Sequence, residues 1–376
     1  MSKENYRRLG DYIREVDVRN RDLEVKELLG VSVSKEFIPS IANTIGTDMS
    51  SYKVVKFRQF VYIEDTSRRG DKIAIALLQD FKEAIVSSIY TVFEVKNQDE
   101  LLPEYLMMWF RRPEFDRYAR FKSHGSAREI FSWEEMCDVF LPIPPIEQQR
   151  KIVTEYEAVS RRIRLNEQMI ARLEEIAQAL YRKMFVDGID KENLPEGWRM
   201  GTLGEIAEYV NDKISLEDIE DTDYISTENM LKDKKGIIYS TNKPDNGRGT
   251  KFKREDILVS NIRPYFKKIW KASFDGACSN DVLCFRSKDK NNTLLLFYIM
   301  EQDCFFDYIM AGSNGVKMPR GDKDWIMKYP ILKPPKKDIE QFQMKTYTLY
   351  KCIINYKQEK LQMRKIQSLL MARIGQ

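Results

Sequence analysis

Histidine is nearly absent from this sequence, and cysteine is scarce. The 376 residues contain one histidine, His124, and five cysteines that form no C-x-x-C pair. Structural zinc sites and H-E-x-x-H metalloenzymes need more of these ligands, so the sequence predicts no metal site. An odd number of scattered cysteines is typical of a reducing compartment and not of a secreted disulfide framework.

Long hydrophobic runs are also missing. No apolar stretch approaches the ~18 residues of a membrane span, and the first residues are too polar for a signal peptide, so we expect a cytoplasmic protein with no membrane partner. Hydrophobic residues make up 43% and charged residues 32%, a globular composition. The net charge is only +4, so any basic surface must arise from local clustering.

The usual catalytic motifs are missing as well. The sequence contains neither a G-x-x-x-x-G-K-[ST] nucleotide loop nor a G-x-G-x-x-G dinucleotide loop. The [ND]-P-P-[YF] loop of amino-methyltransferases is absent, because Ile146 and Lys336 follow the two Pro-Pro pairs. His124 lies in a polar loop without an acidic neighbour, which favours a contact to a phosphate or a base over a role as general base. We predict no catalytic residue.

An internal repeat of about 190 residues is the clearest positive feature. Its matching segments occur in the same order in both copies. They pair residues 9–13 with 203–207, 37–40 with 224–227, 87–93 with 279–285, and 141–148 with 331–341, the last after a three-residue insertion. The sequence therefore predicts a tandem duplication.

Each copy begins with a mixed region and ends with a long helix. Strand-like runs (53–62, 72–78, 257–262) and short helices (104–110, 294–300) predict α+β domains. After each Pro-Pro pair, residues 147–186 and 338–374 lack Gly and Pro, which predicts helices of about 60 Å. We predict four segments: a first α+β domain at 1–145, a helix at 146–187, a second domain at 188–335 with an opening linker at 188–198, and a helix at 336–376.

Both long helices carry apolar residues at heptad spacing. Such a narrow stripe predicts that the two helices pair as an antiparallel coiled coil, with Asn166 as a polar member that fixes the register. Packing of each helix on its own domain is the alternative. The predicted seam is Ile152, Tyr156, Val159, Ile163, Asn166, Ile170, Leu173, Leu180, Leu349, Ile353, Tyr356, Met363, Ile366 and Leu370.

Basic and polar clusters recur at similar places in the two copies. Arg and Asn side chains read base edges, whereas Lys and Ser hold phosphates, so these loops are candidates for DNA contact. Solvated turns are the alternative in a chain this rich in charge. The candidates are Arg58, Tyr62, Arg68, Arg69, Lys72, Lys122, His124, Ser126, Arg128, Asn246, Arg248, Lys251, Asn261, Arg263, Lys267, Ser313, Lys317 and Arg320.

Two segments resemble a known family. The chain resembles the specificity subunit of type I restriction–modification systems at two places. The first is Pro144-Pro145-Ile146-Glu147-Gln148-Gln149 at the start of a long helix, and the second is Leu194-Pro195-Glu196-Gly197-Trp198 ahead of the second copy. The second Pro-Pro segment, with its insertion, and the missing Leu-Pro-Glu-Gly-Trp sequence in the first copy depart from that pattern.

The resemblance implies a non-catalytic subunit that reads double-stranded DNA. Each domain would read one half of a bipartite site, and the helices would set the spacer and dock two methyltransferase subunits and the restriction (translocase) subunits. S-adenosylmethionine, ATP and Mg would belong to those partners. A coiled-coil scaffold with two protein-binding domains, a stand-alone nuclease and the recognition subunit of a type IIB-like system remain alternatives.

Overall fold

The computed structural model describes residues 6–40, 47–65, 72–123, 129–239, 243–315 and 317–374. The chain divides into two compact units, one of Met1–Leu165 with Lys360–Gln376 and the other of Asn166–Glu359. Each unit combines a mixed region with half of each of the two long helices. Within the described residues, no helix has both the length and the apolar character needed to cross a membrane.

The first unit is built around a four-stranded antiparallel sheet. Its strands lie in the order Ile13–Val16 (β2), Thr91–Val95 (β9), Phe60–Tyr62 (β6) and Ile75–Leu77 (β7). Two-stranded pairs β1·β10, β3·β4 and β5·β8 surround it, and Phe60 and Phe93 stack at 4.8 Å in its core. Its elements are β1 (Tyr6–Arg8), β2 (Ile13–Val16), β3 (Leu29–Val31), β4 (Phe37–Pro39), β5 (Lys53–Lys56), β6 (Phe60–Tyr62), β7 (Ile75–Leu77), β8 (Glu83–Val86), β9 (Thr91–Val95), α1 (Pro103–Phe110), α2 (Pro113–Lys122), α3 (Trp133–Cys137), β10 (Phe140–Pro142) and the first part of α4 (Ile146–Phe185).

The second unit has the same plan. One sheet packs on helices and has the strand order Ala207–Tyr209 (β12), Val282–Ser287 (β19), Ile257–Ser260 (β16) and Ile269–Lys271 (β17). A second sheet has the strand order Lys213–Ser215 (β13), Arg248–Phe252 (β15), Gly276–Cys278 (β18) and Tyr224–Ile225 (β14). Its elements are β11 (Arg199–Thr202), α5 (Leu203–Ile206), β12 (Ala207–Tyr209), β13 (Lys213–Ser215), β14 (Tyr224–Ile225), β15 (Arg248–Phe252), β16 (Ile257–Ser260), β17 (Ile269–Lys271), β18 (Gly276–Cys278), β19 (Val282–Ser287), α6 (Thr293–Met300), α7 (Asp303–Ala311), β20 (Ser313–Asn314), β21 (Arg320–Gly321), α8 (Lys323–Met327), β22 (Pro330–Lys333) and the first part of α9 (Lys336–Ile374).

The predicted α+β fold and its internal repeat are confirmed by the matching topology of the two units. The turns before β9 and β19 are alike: Tyr90 N donates to Ser87 O, and Val282 N donates to Ser279 O. One predicted segment match is wrong. In the first copy Phe37–Pro39 form β4, which pairs antiparallel with β3. In the second copy Ile225 of β14 instead pairs in parallel with Cys278, as Leu28 does with Ile85. The true counterpart of β14 therefore lies near Leu28.

The two long helices begin immediately after their Pro-Pro pairs. Helix α4 starts at Ile146 and α9 at Lys336, because a proline pair stops the preceding strand and tolerates a helix start. Although both helices start directly after the prolines, the Ile-Glu-Gln sequence begins at the first residue of α4 and at the fourth residue of α9. Helix α4 ends at Phe185, and Gly188 follows with φ of 74°.

Within each unit, the halves of α4 and α9 pack against each other antiparallel. In the first unit Gln367 Nε2 donates to Ser160 Oγ at 2.9 Å, and Arg373 lies 3.9 Å from Glu155. In the second unit Lys357 forms a 2.8 Å ion pair with Glu174, and the ring of Phe342 contacts the ring of Tyr181. The predicted antiparallel pairing is thus confirmed inside each unit.

The seam on α9 differs from the predicted one at a single position. Ile366 is 40% exposed, and the neighbouring Gln367 occupies the seam instead. The other predicted members on both helices are buried or half-buried, and Asn166 is buried with its Nδ2 unpartnered. The buried or half-buried heptad positions of α9 are Phe342, Thr346, Leu349, Ile353, Tyr356, Lys360, Met363, Gln367, Leu370 and Ile374.

Candidate nucleic-acid interface

Three loops of the second unit meet at one place, which we call the loop junction (Asn261–Arg263, Asp281 and Pro319–Gly321). Asn261 N donates to Asp281 O at 2.8 Å, and Arg263 N donates to Pro319 O at 2.9 Å. Gly321 N donates back to Asn261 O at 3.3 Å. These backbone bonds bring together candidates that the sequence separates by about 60 residues, namely Asn261, Arg263 and Arg320.

Charge at the loop junction is partly balanced inside the protein. Arg320 lies 3.0 Å from Asp281 and remains exposed, so its guanidinium retains free donors toward solvent. Lys317 is exposed in the segment between β20 and β21, and Ser313 Oγ donates to Met310 O at 2.8 Å. Arg320 and Lys317 are therefore placed to meet an anion, whereas the Ser313 hydroxyl proton is used internally.

Two buried polar atoms of the loop junction have no partner in the structure. They are Asn261 Oδ1 and Arg263 Nε. Buried polar atoms are normally hydrogen-bonded, so an unpaired acceptor and an unpaired donor close together are unusual. Arg263 also has a left-handed backbone, with φ of 50°. Strain and unsatisfied polar atoms at one place are typical of a binding site.

A second patch lies on β15 and the turn before it. Asn246, Arg248 and Lys251 are all exposed there. Lys213 Nζ on the neighbouring strand β13 donates to Thr250 Oγ1 at 2.9 Å and to Asn280 Oδ1 at 2.8 Å. Because Asn280 precedes Asp281, this bond connects the patch to the loop junction.

The lysine Lys267 has a partner that the sequence did not reveal. Its ammonium group lies 3.0 Å from Asp303 at the start of α7, and Lys234 contacts the same carboxylate at 2.7 Å. The hydrogen bond to Asp303 raises the pKa of Lys267, and the two lysines together hold the pKa of Asp303 below its usual value. One carboxylate therefore fixes two cationic side chains.

The first unit has the same backbone pairing at the corresponding place. Asp65 bridges to Ile130, as Ile262 bridges to Arg320, and Phe131 N donates to Glu64 O at 2.9 Å. Lys72 is exposed, and Lys122 at the end of α2 lies 3.4 Å from Glu135. The remaining candidates on these loops lie outside the described residues: Arg68, Arg69, His124, Ser126 and Arg128.

For two candidates of the first unit the structure indicates a structural role. Tyr62 is fully buried against Phe93, and burial raises the pKa of its hydroxyl, so the prediction of a DNA contact is wrong for this residue. Its position on a strand that is buried on both faces explains the error. Arg58 donates through its two terminal nitrogens to Glu104 at 2.5 Å and to Gln98 at 2.6 Å, while its buried Nε has no partner.

Three residues close to the loop junction are absent from the list of candidates, although Lys268 belongs to the basic cluster that the sequence shows beside Lys267. Tyr265 is 47% exposed, and Lys232 and Lys268 both lie near the ring of Phe266. The run Arg263-Pro264-Tyr265-Phe266-Lys267-Lys268, with aromatic residues between basic ones, carried a signal for the tyrosine and for Lys268. Lys232 comes from a separate loop, so no local pattern reveals it.

Comparison with known proteins gives matches to one family. Residues 34–175 match the family model described as the type I restriction modification DNA specificity domain. The HindI type I restriction enzyme specificity subunit of Haemophilus influenzae is 28% identical over 149 residues, which cover 39% of this chain and 32% of that protein. The MjaIX specificity subunit of Methanocaldococcus jannaschii is 22% identical over 312 residues, covering 74% of this chain and 69% of that protein.

A solved structure shares the fold over nearly the whole chain. The crystal structure of a type I restriction–modification S subunit from M. genitalium superposes with a TM-score of 0.60 at 13% identity, covering 99% of this chain and 96% of that one. The match to the Haemophilus protein spans only about a third of that protein's length. The predicted resemblance is confirmed: residues 34–175 match the model of the type I DNA specificity domain, and the chain shares its fold with the M. genitalium S subunit.

Proposed function

We propose, from this family match, that the chain is the DNA-recognition subunit of a type I restriction–modification complex. Each unit reads one half of a bipartite site in double-stranded DNA, and the paired helices set the spacer between the halves. The loop junction is the observation that carries the proposal, because it gathers Asn261, Arg263 and Arg320 with unpaired polar atoms. Arg and Asn are the side chains best suited to guanine and adenine.

The subunit is proposed to be non-catalytic and to work with partners. Two methyltransferase subunits carry S-adenosylmethionine, and restriction subunits carry ATP and Mg. The long helices offer docking surfaces, since Leu165, Met169 and Ile176 form an exposed apolar stripe on α4. Electrostatic affinity shared with these partners accounts for the small net charge of +4.

Salt titration of duplex DNA binding tests the proposal. Neutralised phosphates release counterions, so the logarithm of the binding constant should fall steeply and linearly with the logarithm of salt concentration. The same assembly should not bind unrelated proteins or peptides tightly. A flat salt response, with tight binding to a protein partner, would instead favour the coiled-coil scaffold.

Incubation of the isolated chain with DNA and magnesium tests the absence of catalysis. We expect neither cleavage nor modification of the DNA without partner subunits. A matched reaction with added methyltransferase subunits and S-adenosylmethionine should methylate it. Cleavage by the isolated chain would show that it is a nuclease with an unrecognised active site. Cleavage by the full complex should require ATP if the system is of type I. Cleavage without ATP would favour the type IIB-like alternative.

A further inference from the structure

The loop between β16 and β17 presents an aromatic side chain from a strained turn. Pro264–Phe266 form a single 3₁₀ turn, with Pro264 buried and Tyr265 47% exposed. The residues on either side, Arg263 and Lys267, are both left-handed, with φ of 50° and 49°. Non-glycine residues pay roughly 1–2 kcal/mol each for this backbone, so two of them around one tyrosine require a compensating structure.

Neighbouring segments supply that compensation. Asp233 N donates to Phe266 O at 3.0 Å, and Lys234 N donates to Lys267 O at 2.9 Å. Lys268 Nζ donates to Thr227 O at 2.6 Å, and Arg263 N is held by Pro319 O. The turn is therefore fixed from both sides before any ligand binds, which removes the ordering cost that a mobile loop would pay on binding.

Two lysines lie close to Phe266, the aromatic residue at the end of this turn. Lys232 Nζ lies 4.0 Å from the centre of the Phe266 ring, and Lys268 Nζ lies 5.8 Å from it. Burial lowers the pKa of Lys268, and the nearby Lys232 lowers it further. Like charges this close repel, so an anion bound beside them would lower the free energy of both ammonium groups.

We propose that Tyr265 contacts a base edge in the half-site read by the second unit, while Lys232 and Lys268 hold the adjoining backbone phosphate. This inference rests on the proposed DNA-reading function and deepens it by naming the reading side chain. A tyrosine offers a flat apolar face for a thymine methyl group and a hydroxyl for a base acceptor. The lysines fix the position of the backbone without reading sequence.

Selection from a duplex library with 40 randomised base pairs tests the tyrosine. The full-length chain is used in the assembly in which it purifies, as wild type and as Tyr265→Ala. Tyr347→Ala is the matched control, because Tyr347 is equally exposed at 47% but lies on α9. Tyr265→Gln, which keeps a longer polar side chain but removes the aromatic ring, is a second variant in case the alanine form unfolds, and melting temperatures confirm folding.

We expect wild type and Tyr347→Ala to select the same bipartite consensus. Tyr265→Ala and Tyr265→Gln should lose discrimination at one or two adjacent positions of a single half-site, by about tenfold or more. An unchanged consensus in both Tyr265 variants would overturn the inference. If wild type selects no consensus at all, the proposed function itself fails, so the two failures are distinguishable.

A salt titration tests the lysines separately. Lys232→Ala and Lys268→Ala should each weaken binding to every sequence to a similar degree and reduce the salt slope by about one. Lys345→Ala, an exposed lysine on α9, should leave the slope unchanged. An unchanged slope in both variants would show that these lysines hold no phosphate.

Discussion

Backbone strain and side-chain charge coincide at Arg263 in the second unit. Its left-handed backbone costs roughly 1–2 kcal/mol, and its buried Nε lacks a partner, so the residue lowers stability where it stands. Glycine would adopt this backbone freely. Arg58 has the same left-handed backbone and an unpaired Nε, but its terminal nitrogens bond Glu104 and Gln98, whereas the side chain of Arg263 has no such partner within the described residues. The arginine is therefore expected to act on a ligand.

The first prediction is that Arg263→Gly separates stability from binding. The free energy of unfolding should stay unchanged or rise by up to about 1 kcal/mol, because removal of the strain balances or outweighs the entropy that the unfolded chain gains with glycine. Affinity for the specific duplex should fall about tenfold or more, with subunit assembly intact. Denaturant unfolding and DNA titration measure the two effects.

Leu23→Gly is the control for this prediction. Leu23 is also left-handed, with φ of 58°, and is half exposed in the first unit. It should show a similar stability change without loss of DNA affinity. Loss of assembly or a large loss of stability in Arg263→Gly would show that the arginine serves the fold.

The carboxyl group of Glu301, at the end of α6, has a raised pKa. Its carboxylate accepts a hydrogen bond from Gln178 of α4, and Gln302 Nε2 donates to Gln178 Oε1 at 2.9 Å. Burial, with a smaller contribution from Glu174, raises the pKa of Glu301 to about 7, although Lys234 and Lys357 act in the opposite direction. The folded protein therefore keeps a proton that the unfolded chain releases near pH 4.5.

The second prediction follows from the sign of this shift. Between about pH 4.5 and 7 the folded state binds one more proton than the unfolded state, so the free energy of unfolding falls as pH rises. Glu301→Gln should remove this decline, be as stable as wild type near pH 4.5, and exceed it at pH 8 by on the order of 3 kcal/mol. Denaturant unfolding at pH 4.5, 6 and 8 measures it.

Glu157→Gln provides the comparison, because Glu157 is exposed on α4. This variant should keep the wild-type decline with pH. Equal stability of Glu301→Gln and wild type at pH 8 would contradict a protonated, buried carboxyl.

At the scale of elements, the long helices are predicted well and their contact surfaces less well. The absence of Gly and Pro after each Pro-Pro pair predicts both helices to within a few residues of their observed bounds. The seam of α9 was harder to predict, because Lys360 and Gln367 occupy heptad positions that a hydrophobic pattern assigns to apolar residues. A polar seam residue is specified by its partner across the pair, as Ser160 specifies Gln367, and that information is not local.

The third prediction compares neighbours on α9. Leu370 packs in the core of the first unit near Val153 and Tyr156, whereas Ile366 is 40% exposed. Leu370→Ala should lower the free energy of unfolding by about 2–4 kcal/mol through a cavity. Ile366→Ala should change it by less than about 0.5 kcal/mol. Equal effects in denaturant unfolding would place Ile366 back in the seam.

The candidate interface shows a similar division between local and long-range information. Charge clustering in the sequence found Asn261, Arg263 and Arg320, which the fold brings together. It misassigned Tyr62, because a tyrosine on a strand buried on both faces has no exposed alternation to reveal its position. Lys232 and Asp303 come from segments distant in sequence from the loop they support, so only the fold reveals them.

For the whole molecule, the repeated topology is the strongest link between sequence and function. Two units with the same sheet order suit two half-sites, and a helix pair suits a fixed spacing between them. The two units keep the same geometry while the side chains at matching places differ. Gln59 bonds to Glu94 in the first sheet, whereas Asp256 pairs with Arg286 at the matching place in the second.

The fourth prediction concerns the proposed spacing role of the helices. One heptad inserted after Ala171 and another after Tyr356 should preserve the seam, because a seven-residue insertion keeps the a/d frame. Each helix lengthens by about 10 Å, so the preferred spacer between half-sites should grow by about one to three base pairs. Selection from duplexes with varied spacers measures the change.

Insertion of the same heptad into α4 alone is the comparison, and it should impair folding by shifting one side of the seam. An unchanged spacer preference in the double-insertion variant would argue against the helices as the spacing element.

Single-molecule sequencing of methylated DNA tests the central claim most directly. DNA is taken from cells that express this chain with its methyltransferase subunits, and from cells that express those subunits alone. We predict methylated adenines within one bipartite motif, two short specific halves around a fixed unspecific spacer, that disappears without this chain. Methylation at a contiguous motif, or the same pattern in both cultures, would contradict the account.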